Sequence, residues 1–170
     1  DGLSILDQAI AQGRGSVAEP EVREMLGLAD RGLVFDLLEA VLGGRIAEGL
    51  DNLAGQYAAG VDPVVVVEDL LELTHWLTRC KAAPEAARHA APEFERERGA
   101  AMAERLSVPQ LTRAWQILLK GLTEARMAPS ALQAVEMTLV RLAHAAALPT
   151  PEEAIRRLAS TTPVLGVCLG

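Results

Sequence analysis

Large aromatic residues are nearly missing from this chain: two Trp, two Phe and one Tyr among 170 residues. With 29 Ala and 26 Leu in their place, the composition favours helix formers over the β-branched and aromatic residues that build sheets, which excludes an all-β fold. Cysteine is as scarce. Cys80 and Cys168 are too few and too far apart for a zinc ribbon or a disulfide framework, and they read as reduced thiols of a cytoplasmic protein. Positive charge is in deficit, 16 Lys+Arg against 23 Asp+Glu for a net −7, so the chain as a whole is repelled by phosphate backbones and anionic lipid. A DNA-binding module and direct nucleic-acid contact are therefore not expected. No segment approaches the roughly 20 apolar residues of a membrane span. The opening Asp1-Gly2-Leu3-Ser4 has no basic region followed by an apolar stretch, so no targeting signal is expected in it. It also lacks an initiating Met and starts within a helical pattern, which suggests a fragment of something longer.

What remains is helical periodicity over a length that can bury roughly 70% of its unfolded surface. Leu3, Leu6 and Ile10 predict a short amphipathic helix stopped at Gly13-Arg14-Gly15. Glu19 to Leu26 predicts a second, closed by Gly27, and Asp30 caps a third that runs to Gly43-Gly44 with Leu33, Val34, Leu37, Leu38, Val41 and Leu42 on its apolar stripe. Arg45 to Ala59 follows. Asp62-Pro63 restarts the chain with a cap and a proline at the first helical position, so Val64 to Val67 reads as helix and not as strand. Pro84 and Pro92 bracket a loose connection or a single turn, and Glu93 to Leu106 is a charged helix. Ser107 precedes a core helix to Met127 that carries Leu111, Trp115, Leu118, Leu119 and Leu122. Pro129-Ser130 opens another, to about Ala147. Thr150-Pro151-Glu152-Glu153 reads as a capping box for a short last helix, its carboxylates serving the helix dipole, and the tail 161–170 is apolar. The fold class is all-α.

Catalytic patterns are missing. The phosphate-cradling GxxxxGK[ST] loop does not occur, and Gly13-Arg14-Gly15-Ser16 reads as a helix-ending turn. His75, His89 and His144 lack metal-ligand spacing; His75 reads as a structural histidine on or beside the core stripe next to Trp76. Cys80 lies about 140° around a helix from His75, which disfavours a nucleophile and base pair and leaves a partly buried thiol. The charges from Glu93 to Arg98 read as a solvated face, with binding of a basic partner as the alternative. Trp76 and Trp115 are core anchors or interface hot spots.

The run Asp1-Gly2-Leu3-Ser4-Ile5-Leu6-Asp7-Gln8-Ala9-Ile10-Ala11 resembles the end of the lid domain in the gamma/tau subunits of bacterial DNA polymerase III, the motor subunits of the sliding-clamp loader. Later landmarks follow in order. Val22 to Gly27 is similar to the next lid helix, Val135-Glu136-Met137-Thr138-Leu139-Val140-Arg141-Leu142 to the last helix of the family's collar, and Leu148-Pro149-Thr150-Pro151-Glu152-Glu153-Ala154 to the exit from it. The resemblance covers residues 1 to about 158. It implies a lid remnant over 1–28, a helical collar over 29–148, and a short helix and linker start over 149–170. It also implies that the family's AAA+ ATPase module, with its ATP, Mg and Zn sites, precedes Asp1, so that no cofactor, metal or catalytic residue is expected in this chain.

The implied role is oligomerisation. The collar would hold a ring of gamma/tau copies, delta and delta-prime together for ATP-driven loading of the sliding clamp, through apolar helix faces left over once the core is filled. The two helices between 108 and 147 are the expected interface, with Trp115, Leu119, Leu122 and Arg126 as contacts and Glu136 and Arg141 as orienting charges; for the last two a solvent or intrahelix role is the alternative. The 82–106 segment matches no motif of the family, and the tail 161–170, with Val164, Leu165, Val167 and Leu169, is more apolar than a solvent linker should be. The rival reading is a small-ligand-binding helical regulator, with Trp76, His75 and Trp115 lining an interior pocket.

Overall fold

A computed structural model of the chain describes residues 19–87, 93–148 and 151–161. All regular structure among them is helical: α1 (Glu19–Leu42), α2 (Ile46–Ala58), α3 (Pro63–Ala82), α4 (Pro84–Ala87), α5 (Glu93–Arg105), α6 (Val108–Met127), α7 (Ala131–Ala147) and α8 (Pro151–Thr161). The expected helix at 3–10 and the apolar tail lie outside the described residues. So do His89 and Cys168.

Helix starts follow local chemistry. The Asp62 carboxylate accepts the Val64 N–H at 2.8 Å, and Pro63 occupies the first helical position, where its missing N–H has no consequence. Ser107 closes a full capping box: its Oγ accepts the Gln110 N–H, while Gln110 Oε1 accepts the Ser107 N–H at 2.9 Å. Gly44, at φ 77°, takes the chain out of α1 through a conformation that disfavours any side chain.

One expected boundary does not exist. Glu19–Leu42 is a single helix of 24 residues and runs unbroken through Gly27 and Asp30. A lone glycine costs a helix interior about 1 kcal/mol relative to Ala, which lowers stability without forcing a stop. Gly27 has no second glycine or proline to help it. The stripe of α1 is also shifted from its expected position: Phe35 and Ala40 are buried, and Leu33 is 41% exposed.

The core lies where α3 packs between α6 on one side and α1 with α5 on the other, with α7 against α6 and α2 bridging α1 and α7. Leu37, Leu38, Val41, Val67, Leu70, Leu77, Leu111, Leu118, Val135 and Leu139 are fully buried there. Two buried hydroxyls are satisfied within their own helices, Thr74 donating to the Leu70 carbonyl at 2.7 Å and Thr138 to Ala134 at 2.8 Å. Gln56 donates to Asn52 Oδ1 at 2.6 Å.

Candidate partner-binding surface

The helices expected to carry the interface meet in a close seam. Gly121 of α6 lies against Thr138 of α7, and a Cβ on Gly121 would fall 2.3 Å from Thr138 Cγ2 and 2.4 Å from its Oγ1. With hydrogen there instead, the backbones approach and Thr138 fills the gap. The same seam holds Arg141, whose guanidinium grips Glu124 with two N–H groups and donates a third bond to Thr138 Oγ1 at 3.1 Å. That grip holds the Glu124 carboxyl below the usual carboxylate range against the opposing effect of burial, and raises Arg141 further. Arg113 donates to the Ala145 carbonyl at 3.3 Å near the C-terminal end of α7.

With α7 and the core accounted for, the other flank of α6 can be read by position. At about 100° per residue, Val108, Trp115, Leu119, Leu122 and Arg126 lie in one strip along the side away from α7. Trp115 is 38% exposed and Leu119 42%, whereas Leu122 is half-buried against the core. Arg126 closes the strip by bridging to Glu68 of α3. Four of the six expected interface residues therefore share one surface. The other two do not join it, for Arg141 is engaged by Glu124 inside the chain and Glu136 sits half-buried on the opposite flank of α7.

The chemistry around α5 was only partly visible. A cavity of about 530 Å³ opens between α3, α4 and α5, lined by Trp76, Cys80, Lys81, Pro84, Arg96 and Ala100 among others. Trp76 packs so tightly on α5 that a Cβ at Gly99 would lie 1.9 Å from its ring, and it meets Phe35 edge to face at 6.4 Å. Burial pushes the Cys80 thiol up, as befits a partly buried structural cysteine. His75 is exposed and Trp115 belongs to α6, so neither lines this cavity, contrary to the expectation of a pocket shared by all three. The reason is angular: Leu70, Leu73, Thr74 and Leu77 occupy the core side of α3, which leaves position 75 on its outer side. Nor is Arg98 part of a solvated run. It bonds Asp36 and Glu39 of α1 and lies 5.2 Å from the centre of the Phe35 ring, while Arg105 reaches the other Glu39 oxygen at 2.6 Å. Those arginines hold Glu39 below its ordinary pKa, with the Arg105 hydrogen bond contributing most.

Among the described residues no three His, Cys, Asp or Glu side chains come together as a metal site, and no helix is long and apolar enough to cross a membrane. The exposed chemistry that stands out is an apolar strip on a rigid helix, the kind of surface found on all-helical interaction domains. Sequence comparison narrows the class. The chain belongs to the family described as DNA polymerase III subunits gamma and tau domain III, whose sequence model matches residues 17–158. It is 34% identical over 154 residues to the DNA polymerase III subunit tau of Salmonella typhimurium, covering 89% of this chain and 24% of that one. It is 32% identical over 161 residues to the tau subunit of Escherichia coli, covering 92% and 24%, and 28% identical over 142 residues to the gamma subunit of Buchnera aphidicola, covering 84% and 39%. The chain thus spans about a quarter of the length of the two tau subunits.

Proposed function

We propose that this chain is the collar of a clamp-loader gamma/tau subunit, the region through which copies of the subunit assemble with delta and delta-prime so that ATP-driven motions elsewhere can load the sliding clamp. Family membership gives the setting, and one structural observation carries the reading: Trp115 and Leu119 stand exposed on α6 although the core beneath them is complete without them. A large aromatic beside a leucine, bordered by a charge, is the composition of an interface anchor. In this reading residues 1–28 are the remnant of a lid and 149–170 lead away from the collar. The chain is an assembly element that needs no cofactor, works in the cytoplasm and makes no direct contact with nucleic acid. The ATPase machinery belongs to other parts of the full-length subunit.

Light scattering behind size exclusion, on the chain alone and mixed with delta and delta-prime of the same organism, tests this. A mixed species of defined stoichiometry is expected. Folded components that stay separate at tens of micromolar, a concentration at which even a Kd of about 10 μM gives visible complex, refute it. The cavity beside Trp76 favours one second reading, a small-ligand-binding regulator in which a ligand enters between α3 and α5. That reading requires ligand-dependent fluorescence of Trp76 in a Trp115→Phe background, with no need for any protein partner.

A further inference from the structure

The cavity between α3, α4 and α5 lies apart from the strip on α6. Its volume of about 530 Å³ falls within the range of small-molecule sites, about 300–1,000 Å³, and none of its described lining residues belongs to α6 or α7. Trp76 gives it a fixed aromatic wall. The indole is held at Gly99, where a Cβ would clash with the ring, and at Phe35, which it meets edge to face at 6.4 Å. Its Nε1–H is buried and has no hydrogen-bond acceptor among the described residues. A dry, unpaired donor on a residue that lines a cavity calls for an acceptor from outside the chain. From α5 come Ala100 and Ala103, whose small side chains leave open the space that larger ones would fill. Lys81, Arg96 and Glu104 also line the cavity, two cations against one carboxylate. Among the described residues the Lys81 ammonium has one polar partner, the Glu104 backbone carbonyl at 3.4 Å, and no carboxylate neutralises it.

We infer that this cavity binds a small aromatic anion, which lies against the Trp76 indole with its charged group toward Lys81. The inference rests on the second reading above for its site and names the class of ligand; it is independent of the assembly reading, since strip and cavity share no residue. Three features select the class. The indole wall favours a flat apolar body, because offset or edge packing of aromatic rings adds to what burial alone gives. The balance of charge favours an anion, for a cation would meet Lys81 and Arg96 at close range. The unpaired indole N–H favours a ligand that carries an acceptor, since a purely apolar occupant would leave that donor as it is. Cys80 does not oppose an anion, because burial pushes its thiol up and keeps it neutral at pH 7. A preformed wall of this kind costs little ordering when the ligand arrives.

The probe is 8-anilinonaphthalene-1-sulfonate, and its control is N-phenyl-1-naphthylamine, which has the same rings without the sulfonate. Each is titrated into the full chain carrying Trp115→Phe, so that Trp76 is the only tryptophan and its emission reports binding. One sulfonate dye per chain is expected, with a Kd of about 20 μM at the efficiency ordinary for drug-sized ligands. Bound dye should slow the alkylation of Cys80 by iodoacetamide, read by peptide mass spectrometry, which locates it in the cavity. Lys81→Glu should weaken the sulfonate dye about tenfold and leave the neutral dye within about threefold of its wild-type affinity. Ala100→Leu, at an exposed position of α5, should fill the space and weaken both dyes at least about tenfold; melting temperatures report that each variant folds. Sulfonate binding unchanged by Lys81→Glu overturns the ligand class and leaves the second reading's site standing. Absence of binding by either dye up to about 200 μM overturns both. So does binding that survives Ala100→Leu and leaves the alkylation of Cys80 unchanged, since the dye then sits elsewhere on the chain.

Discussion

Gly121→Ala should destabilise the chain even though alanine is the better helix former. Two opposing effects set the magnitude. Removing glycine from a helix interior gains about 1 kcal/mol. Against that, the new methyl would sit 2.3 Å from Thr138 Cγ2, 2.4 Å from Oγ1 and 2.9 Å from Cβ. Thr138 is fully buried and β-branched, and its hydroxyl is held by the Ala134 carbonyl and Arg141, so it cannot rotate away cheaply. The α6–α7 seam must open instead, and overpacking of this kind costs about 1–3 kcal/mol, towards the upper end where the whole side chain clashes. A net loss of about 2 kcal/mol follows, or roughly 4–8 °C in melting temperature for a domain of this size. Differential scanning calorimetry measures it directly. Thr138→Ala in the same background removes the two nearest atoms and should restore part of the loss. A Gly121→Ala variant that melts at or above wild type would refute the close-seam argument, because propensity would then have won.

Gly99→Ala meets the Trp76 ring at 1.9 Å, so it should displace the indole, changing near-UV circular dichroism and tryptophan emission in a Trp115→Phe background more than it changes far-UV helicity. An unchanged indole signature would argue against the packing of α5 on α3. The Glu124–Arg141 grip makes an acid-limb expectation. Because the folded pKa of Glu124 is depressed, its stabilisation is present above the ordinary carboxylate pKa and is lost as pH falls through the lower folded value. Glu124→Gln should therefore be less stable than wild type at pH 7 and converge with it at the acid end of a denaturation series; a difference that is constant with pH would contradict the pairing.

What was legible in the sequence was punctuation. Asp62-Pro63 and Ser107-Val108-Pro109 carry their capping chemistry within four residues, and the structure places α3 and α6 where those signals do. Gly43-Gly44 and Gly60 ended their helices as read, two of these glycines at positive φ. Gly27 looked similar and did not end one, since a glycine marks a stop only where the chain has a reason to turn. The strip on α6 was half legible: its spacing puts Trp115, Leu119, Leu122 and Arg126 on one side, but only the packing of α7 and α3 shows that this side is outward. Pairings between distant residues were not legible at all. Arg141 with Glu124, Arg126 with Glu68 and Arg98 with Asp36 join positions 17, 58 and 62 apart, and no local pattern encodes which carboxylate an arginine will meet. Trp76 against Gly99 and Thr138 against Gly121 are of the same kind: a glycine chosen for what lies opposite it looks, in sequence, like any other.

The central claim is that α6 presents an assembly surface the fold does not need for itself, and the Trp115→Ala/Leu119→Ala variant tests it most directly. Both side chains lie at the edge of the core, so stability should change by about 1 kcal/mol or less. Light scattering of the variant mixed with delta and delta-prime should at the same time show the complex gone or severely weakened, as expected when an anchoring aromatic is truncated. A variant that assembles like wild type would contradict the claim and move the interface elsewhere on the chain. One that unfolds would contradict it too, by showing that these residues belong to the core.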